Sequence, residues 1–89
     1  MFYTGRLYSR DVISQREREL CAVAALTVSH FWEELHIHCH AALNVGATRE
    51  EVAEVIFQMT TYAGVPCMVE GLKTLKKVLQ ERGEWTENK

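Results

Sequence analysis

Proline is almost absent from this chain, with one residue at Pro66, and glycine is scarce at five. A turn-rich β fold would need both repeatedly, so a β architecture is disfavoured. No apolar run approaches the ~20 residues of a membrane-spanning helix. An excess of charge of one sign is also missing. Ten basic and twelve acidic side chains leave a net charge of −2. No basic face is available for a phosphate backbone, and nucleic acid is not an expected partner. Cysteine is limited to Cys21, Cys39 and Cys67, with no C-x-x-C pair. That pattern reads as reduced thiols rather than a disulfide framework. The first residues show no apolar leader or cleavage site, and the expectation is a cytoplasmic protein.

What the chain does contain is a helical pattern. Its 89 residues, 47% apolar and 25% charged, correspond to one domain spanning 1–89. Ser14 followed by Glu17 is a capping box, which predicts a helix over 15–28. Ser29 is the expected N-cap of a second helix reaching about 45 and ending at Gly46. Thr48 and Glu51 form another capping box, opening a helix with Val52, Val55, Ile56, Met59 and Ala63 on one stripe and Gly64 at its end. Pro66 then opens a last helix to about 82, closed by Gly83. The prediction is an all-α bundle of four principal helices, with an irregular segment at 1–13 and a frayed tail at 84–89. In the first helix, Cys21 to Leu26 is apolar on every side. A helix without a polar face must be covered all round, which a chain this short achieves best as a homo-oligomer. Cys21 reads as core.

Candidate chemistry concentrates in His36-Ile37-His38-Cys39-His40. Within a helix only His36 and His40 share a face, and a third metal ligand would have to come from elsewhere, so these two read as surface or interface histidines and no metal is expected. His38 falls on a stripe with Leu35, Ala42 and Val45. An imidazole among apolar neighbours suits a general acid or base, or else a core histidine bonded to a carbonyl. Glu19 either orients that histidine or is an ordinary solvated helix residue. Arg10 and Arg18 could clamp a carboxylate through their planar donor forks, or be plain surface arginines. Cys39 lies about 100° round the helix from His38. Cys67, in the first turn of the last helix, is where the dipole lowers a thiol pKa, making it the least inert cysteine.

These residues resemble a known family. His38, Ala41, Ala42, Leu43, Asn44, Gly46, Thr48, Glu51, Glu54 and Val55 follow the pattern H-x-x-A-A-L-N-x-G-x-T-x-x-E-I-x-E-V of the carboxymuconolactone decarboxylase family. Tyr62, Gly64 and Pro66 look like its Y-x-G-x-P turn, while Gly5, Tyr8, Arg10 and Arg18-Glu19-Leu20 are similar to upstream segments. The resemblance implies an all-helical fold shared with alkylhydroperoxidase D, trimers or hexamers, and no metal or organic cofactor. It implies a cofactor-free lyase that removes carbon dioxide from a small carboxylated lactone or related ring compound. His38 would handle the proton, Glu19 would tune it, and Arg10, Arg18 and Tyr62 would hold substrate. Alkylhydroperoxidases carry a C-x-x-C pair just before this histidine; the matching positions here are Phe31 and Glu34. A thiol-dependent peroxidase would therefore rely on Cys39 or Cys67 alone, and a non-catalytic ligand-binding oligomer is the remaining alternative. Full-length decarboxylases usually have a further helix before the glycine–aromatic–arginine segment, so the resemblance implies a pocket that is either missing a part or completed by a neighbouring subunit.

Overall fold

Two short sequence signals start two of the helices. In the computed structural model, which describes the backbone over 2–86 and side chains over 5–86, Ser14 Oγ accepts the Glu17 amide at 3.0 Å and Glu17 Oε1 accepts the Ser14 amide at 2.7 Å. Thr48 and Glu51 repeat the exchange at 3.0 Å in both directions. Each box satisfies amides that a helix start leaves without intrahelical partners. The helices that follow are α2 (Gln15–Ser29) and α4 (Arg49–Gln58).

The other elements are α1 (Phe2–Tyr8), α3 (Trp32–Asn44), α5 (Thr60–Ala63) and α6 (Val65–Glu81), and there is no strand among the described residues. The fold is all-α, with α2, α3, α4 and α6 as the long members.

Four boundaries differ from the sequence expectation. The segment expected to be irregular carries α1. Its last carbonyls are capped by side chains, Ser9 Oγ on Arg6 O at 2.8 Å and Gln15 Nε2 on Tyr8 O at 2.7 Å. Ser29 is the last residue of α2 and not an N-cap. That helix closes on His30, a left-handed residue at φ 64°, with Phe31 N reaching Leu26 O and His30 N reaching Thr27 O. This is a Schellman closure with histidine where glycine is usual. The stripe expected to run unbroken to Ala63 breaks at Met59, where Thr60 and Thr61 hydroxyls take the carbonyls of Phe57 and Gln58, in competition with helix amides. At the C-terminus the tail expected to fray is anchored up to Trp85. Arg49 Nη1 donates to Glu84 O at 2.6 Å, and the Lys76 ammonium lies 5.1 Å from the Trp85 ring centroid. Residues 87–89 lie outside the described residues.

Helix α3 packs between α2 and α6, while α4 packs on α6 and α2. The core is Val23 of α2, Leu35, Cys39 and Ala42 of α3, Val52 and Ile56 of α4, and Leu75, Val78 and Leu79 of α6. Burying each large aliphatic member contributes about 1.5–3 kcal/mol. Gly71 lets α6 approach its neighbours closely, since a Cβ there would lie 2.6 Å from Ile56 Cγ2. Cys21, read as core, is exposed. Helical spacing puts it with Ala25 on the face opposite the buried Glu19, Val23 and Thr27. No helix among the described residues is long and apolar enough to cross a membrane.

Candidate functional site

The buried stripe of α2 runs Glu19, Val23, Thr27, so a carboxylate stands where an apolar residue would be expected. Glu19 is 8% exposed, and a buried carboxylate needs a partner. That partner is His38 of the adjacent α3: Nδ1 lies 2.7 Å from Glu19 Oε1. An ionised carboxylate only accepts, so Nδ1 carries the hydrogen and donates. The same bond fixes the ring's orientation and leaves the lone pair on Nε2. His38 itself is half-buried, at the edge of the α3 core stripe. That stripe is Leu35, Cys39 and Ala42; Val45, expected to share it, is exposed.

Tyr8 completes the group, and sequence reasoning had not placed it in the site. Burial pushes the Tyr8 phenol up, and the Glu19 carboxylate, as a charge and as a hydrogen-bond partner, pushes it further. The signal was present in the glycine–aromatic–arginine segment. Beside it, Arg18 sits with its guanidinium carbon 5.8 Å from the Tyr8 ring centroid, and Nη2 donates to Arg10 O at 3.0 Å. Arg18 Nε is buried with no hydrogen-bond partner. Leu7, Tyr8, Ile13, Arg18 and Cys21 line a shallow hollow of about 170 Å³. His38 does not line it. The hollow and the histidine are linked through Tyr8, which lines the one and bonds Glu19, the partner of the other.

Other predicted site residues are not brought to this pair. Arg10 lends its carbonyl to Arg18, while its own side chain is exposed beside Arg6, Leu7 and Ser9. Tyr62 is 71% exposed on α5, which packs on α4 and α6. Cys39 is fully buried in the core, and desolvation pushes its thiol up to about 12. Cys67 was expected to have a lowered pKa from the helix dipole. Instead burial raises it, and its Sγ donates to Thr27 O at 2.9 Å. A thiol without charged neighbours, removed from water, stays protonated.

A second histidine group lies across α3. His36 Nε2 and His40 Nε2 approach the same oxygen, Glu81 Oε1, at 2.7 and 2.9 Å. Arg82 Nη1 lies 3.1 Å from His40 Nδ1. The two hydrogen bonds hold the exposed Glu81 carboxyl below the usual glutamate range.

The described residues thus form a helical bundle in which a buried glutamate of α2 orients a histidine of α3. The chain belongs to the carboxymuconolactone decarboxylase family, whose model matches residues 2–77. Among curated relatives, an uncharacterized 15.0 kDa protein of Paracoccus denitrificans is 34% identical over 82 residues, covering 90% of this chain and 61% of the relative. The 4-carboxymuconolactone decarboxylase of Acinetobacter baylyi is 29% identical, covering 92% and 61%. Nitrosuccinic acid decarboxylase of Metarhizium robertsii is 25% identical, covering 91% and 59%. The chain thus spans about three fifths of the length of these relatives.

Proposed function

We propose that this protein is a cofactor-free decarboxylase of small carboxylated lactones or related compounds, with His38 as the proton donor and Glu19 as its orienting residue. The observation that carries this reading is the 2.7 Å contact between His38 Nδ1 and the buried Glu19. Two relatives with decarboxylase names support it.

Chemically, the carbon–carboxylate bond breaks, carbon dioxide leaves, and the electron pair spreads into a neighbouring acceptor such as a lactone carbonyl. The resulting enolate takes a proton at carbon from His38 Nε2, which water later replaces. Glu19 offsets the charge of the imidazolium that delivers the proton. Arg18, with an unsatisfied buried Nε, is suited to hold a substrate carboxylate. Arg10 meets Arg18 only through its carbonyl, and its guanidinium, like Tyr62, joins only if a neighbouring subunit brings it close. The exposed apolar residues Val28, Phe31 and Ile37 favour a homo-oligomer, a trimer or hexamer, that shelters the site; the work would be done in the cytoplasm. Two buried, protonated thiols give a peroxidase reading little support.

Incubating the protein with 4-carboxymuconolactone and separately with nitrosuccinic acid, and following carbon dioxide release, tests the reading. Turnover that His38→Ala abolishes and Glu19→Gln reduces by about a hundredfold is expected, within the usual range for general acid–base groups. Turnover unaffected by His38→Ala, or none with any carboxylated lactone, would overturn it.

A further inference from the structure

We propose that His36, His40 and Glu81 form a binding site for a first-row divalent cation, zinc above all, that ties the last turn of α6 to α3. The three side chains offer two imidazole nitrogens and one carboxylate, and their ligand atoms all lie within 4.8 Å of one another. This is a donor set that zinc takes at three-ligand sites, where a water fills the fourth position. His36 and His40 are one helical turn apart on a shared face, with ring centroids 5.1 Å apart and planes at 83°. The helix therefore sets their spacing without help from a loop. The third ligand comes from the other element that packs there.

Hydrogen bonding alone leaves the arrangement lopsided. Two ring nitrogens compete for the one oxygen Glu81 Oε1, at 2.7 and 2.9 Å. A single cation would replace both bridging hydrogens. Tetrahedral zinc with bonds of about 2.0–2.1 Å sets its ligands roughly 3.3 Å apart. Glu81 would have to withdraw by about half an ångström. The two Nε2 atoms, up to 4.8 Å apart, would have to close by as much as about 1.5 Å. An exposed glutamate at a helix end and two half-buried rings that can turn about χ2 permit both shifts.

Arg82 works against the ion. Its Nη1 donates to His40 Nδ1, which keeps the His40 hydrogen on Nε2, the atom the metal would occupy. Zinc binding moves that hydrogen to Nδ1, and the guanidinium must then turn away. Arg82 therefore weakens the site by charge and by tautomer, and removing it should tighten binding.

The test is titration of tag-free, chelator-treated protein with Zn²⁺ by calorimetry and with Co²⁺ by visible absorption. One equivalent per chain is expected. His36→Ala, His40→Ala and Glu81→Gln should each weaken binding by about tenfold or more, the least that loss of a ligand costs. Arg82→Met should strengthen it. Cys21→Ser and His30→Asn, which remove other exposed donors, should leave it unchanged. Zinc should raise the melting temperature of the wild type and not of Glu81→Gln, with circular dichroism confirming that each variant folds. No saturable binding, Glu81→Gln binding as well as wild type, or binding lost with Cys21→Ser would each overturn the proposal. The decarboxylase reading is tested separately, because its readout is carbon dioxide release by His38.

Discussion

Gly71 offers the sharpest test of how the helices are held together. A Cβ at this position would lie 2.6 Å from Ile56 Cγ2 and 3.2 Å from Thr27 Cγ2. Carbon atoms pack best at about 3.5–4.0 Å, so Gly71→Ala forces α6 away from α4 by close to 1 Å or drives Ile56 off its rotamer. Ile56 is fully buried and β-branched, which leaves it little room to turn. Overpacking of this kind costs about 1–3 kcal/mol, and the better helix propensity of alanine returns about 1 kcal/mol. A net loss of up to about 2 kcal/mol lowers the melting temperature by up to about 15 °C for a chain of this size. Ile56→Leu removes the offending Cγ2 while keeping the volume, at less than about 1.5 kcal/mol alone. The double variant should therefore be more stable than the sum of the singles by about 1 kcal/mol. Urea denaturation followed by far-ultraviolet circular dichroism measures all four proteins. Additive effects, or a Gly71→Ala protein more stable than wild type, would refute the close-approach argument.

Thiol reactivity gives a second test: in the native protein a disulfide reagent should react rapidly with one equivalent of thiol, at Cys21, and with all three cysteines only after denaturation. Cys21→Ser should abolish the rapid phase, and fast labelling of Cys39 or Cys67 would contradict their burial. Acid stability gives a third. The hydrogen bonds with Ser14 hold Glu17 below the 4.5 of a free glutamate, and those with His40 and His36 do the same for Glu81. A depressed carboxyl stabilises the fold above the unfolded value and loses that contribution as pH falls through the folded one. Unfolding free energy should decline below about pH 4.5, a decline that Glu17→Gln makes shallower. An identical acid limb in wild type and variant would refute the capping assignment.

How much of this was legible in the sequence depends on how local each cause is. Both capping boxes lie within four consecutive residues, and their helices start where that signal puts them. Helix α1 is different. Its last carbonyl is taken by Gln15, a residue from the next helix, and within 1–13 only the Ser9 hydroxyl caps it, a weak signal in sequence. The turn after α2 was misplaced because His30 takes the left-handed position without the glycine that usually marks it. At the site, His38 and Glu19 were both singled out, but their 2.7 Å contact spans 19 residues and depends on how α2 meets α3. Tyr8 was named within a motif and left out of the site, although the aromatic of that segment was the available clue. Glu81 carried no signal. It reads as one more charged residue near the end of a basic helix, and only packing shows that it meets His36 from 45 positions away.

The alternating histidines of α3 divide between two faces of the helix, as helical spacing requires. Spacing of two suits one face of a strand, whereas on a helix each step of two turns the side chain by about 200°. His38 therefore faces α2 while His36 and His40 face α6. Each direction meets a glutamate, but the two glutamates differ in surroundings. Glu19 is buried and holds one imidazole in one orientation, which suits proton delivery from its far nitrogen. Glu81 is exposed, lies at a helix end and is shared by two imidazoles, which suits ion capture and release. A helix is about 10 Å across, close to the screening length in ordinary buffer, and the two groups share no side chain. The two chemistries are therefore separable by mutation: substitutions at Glu81 should act on the cation and leave His38 in place.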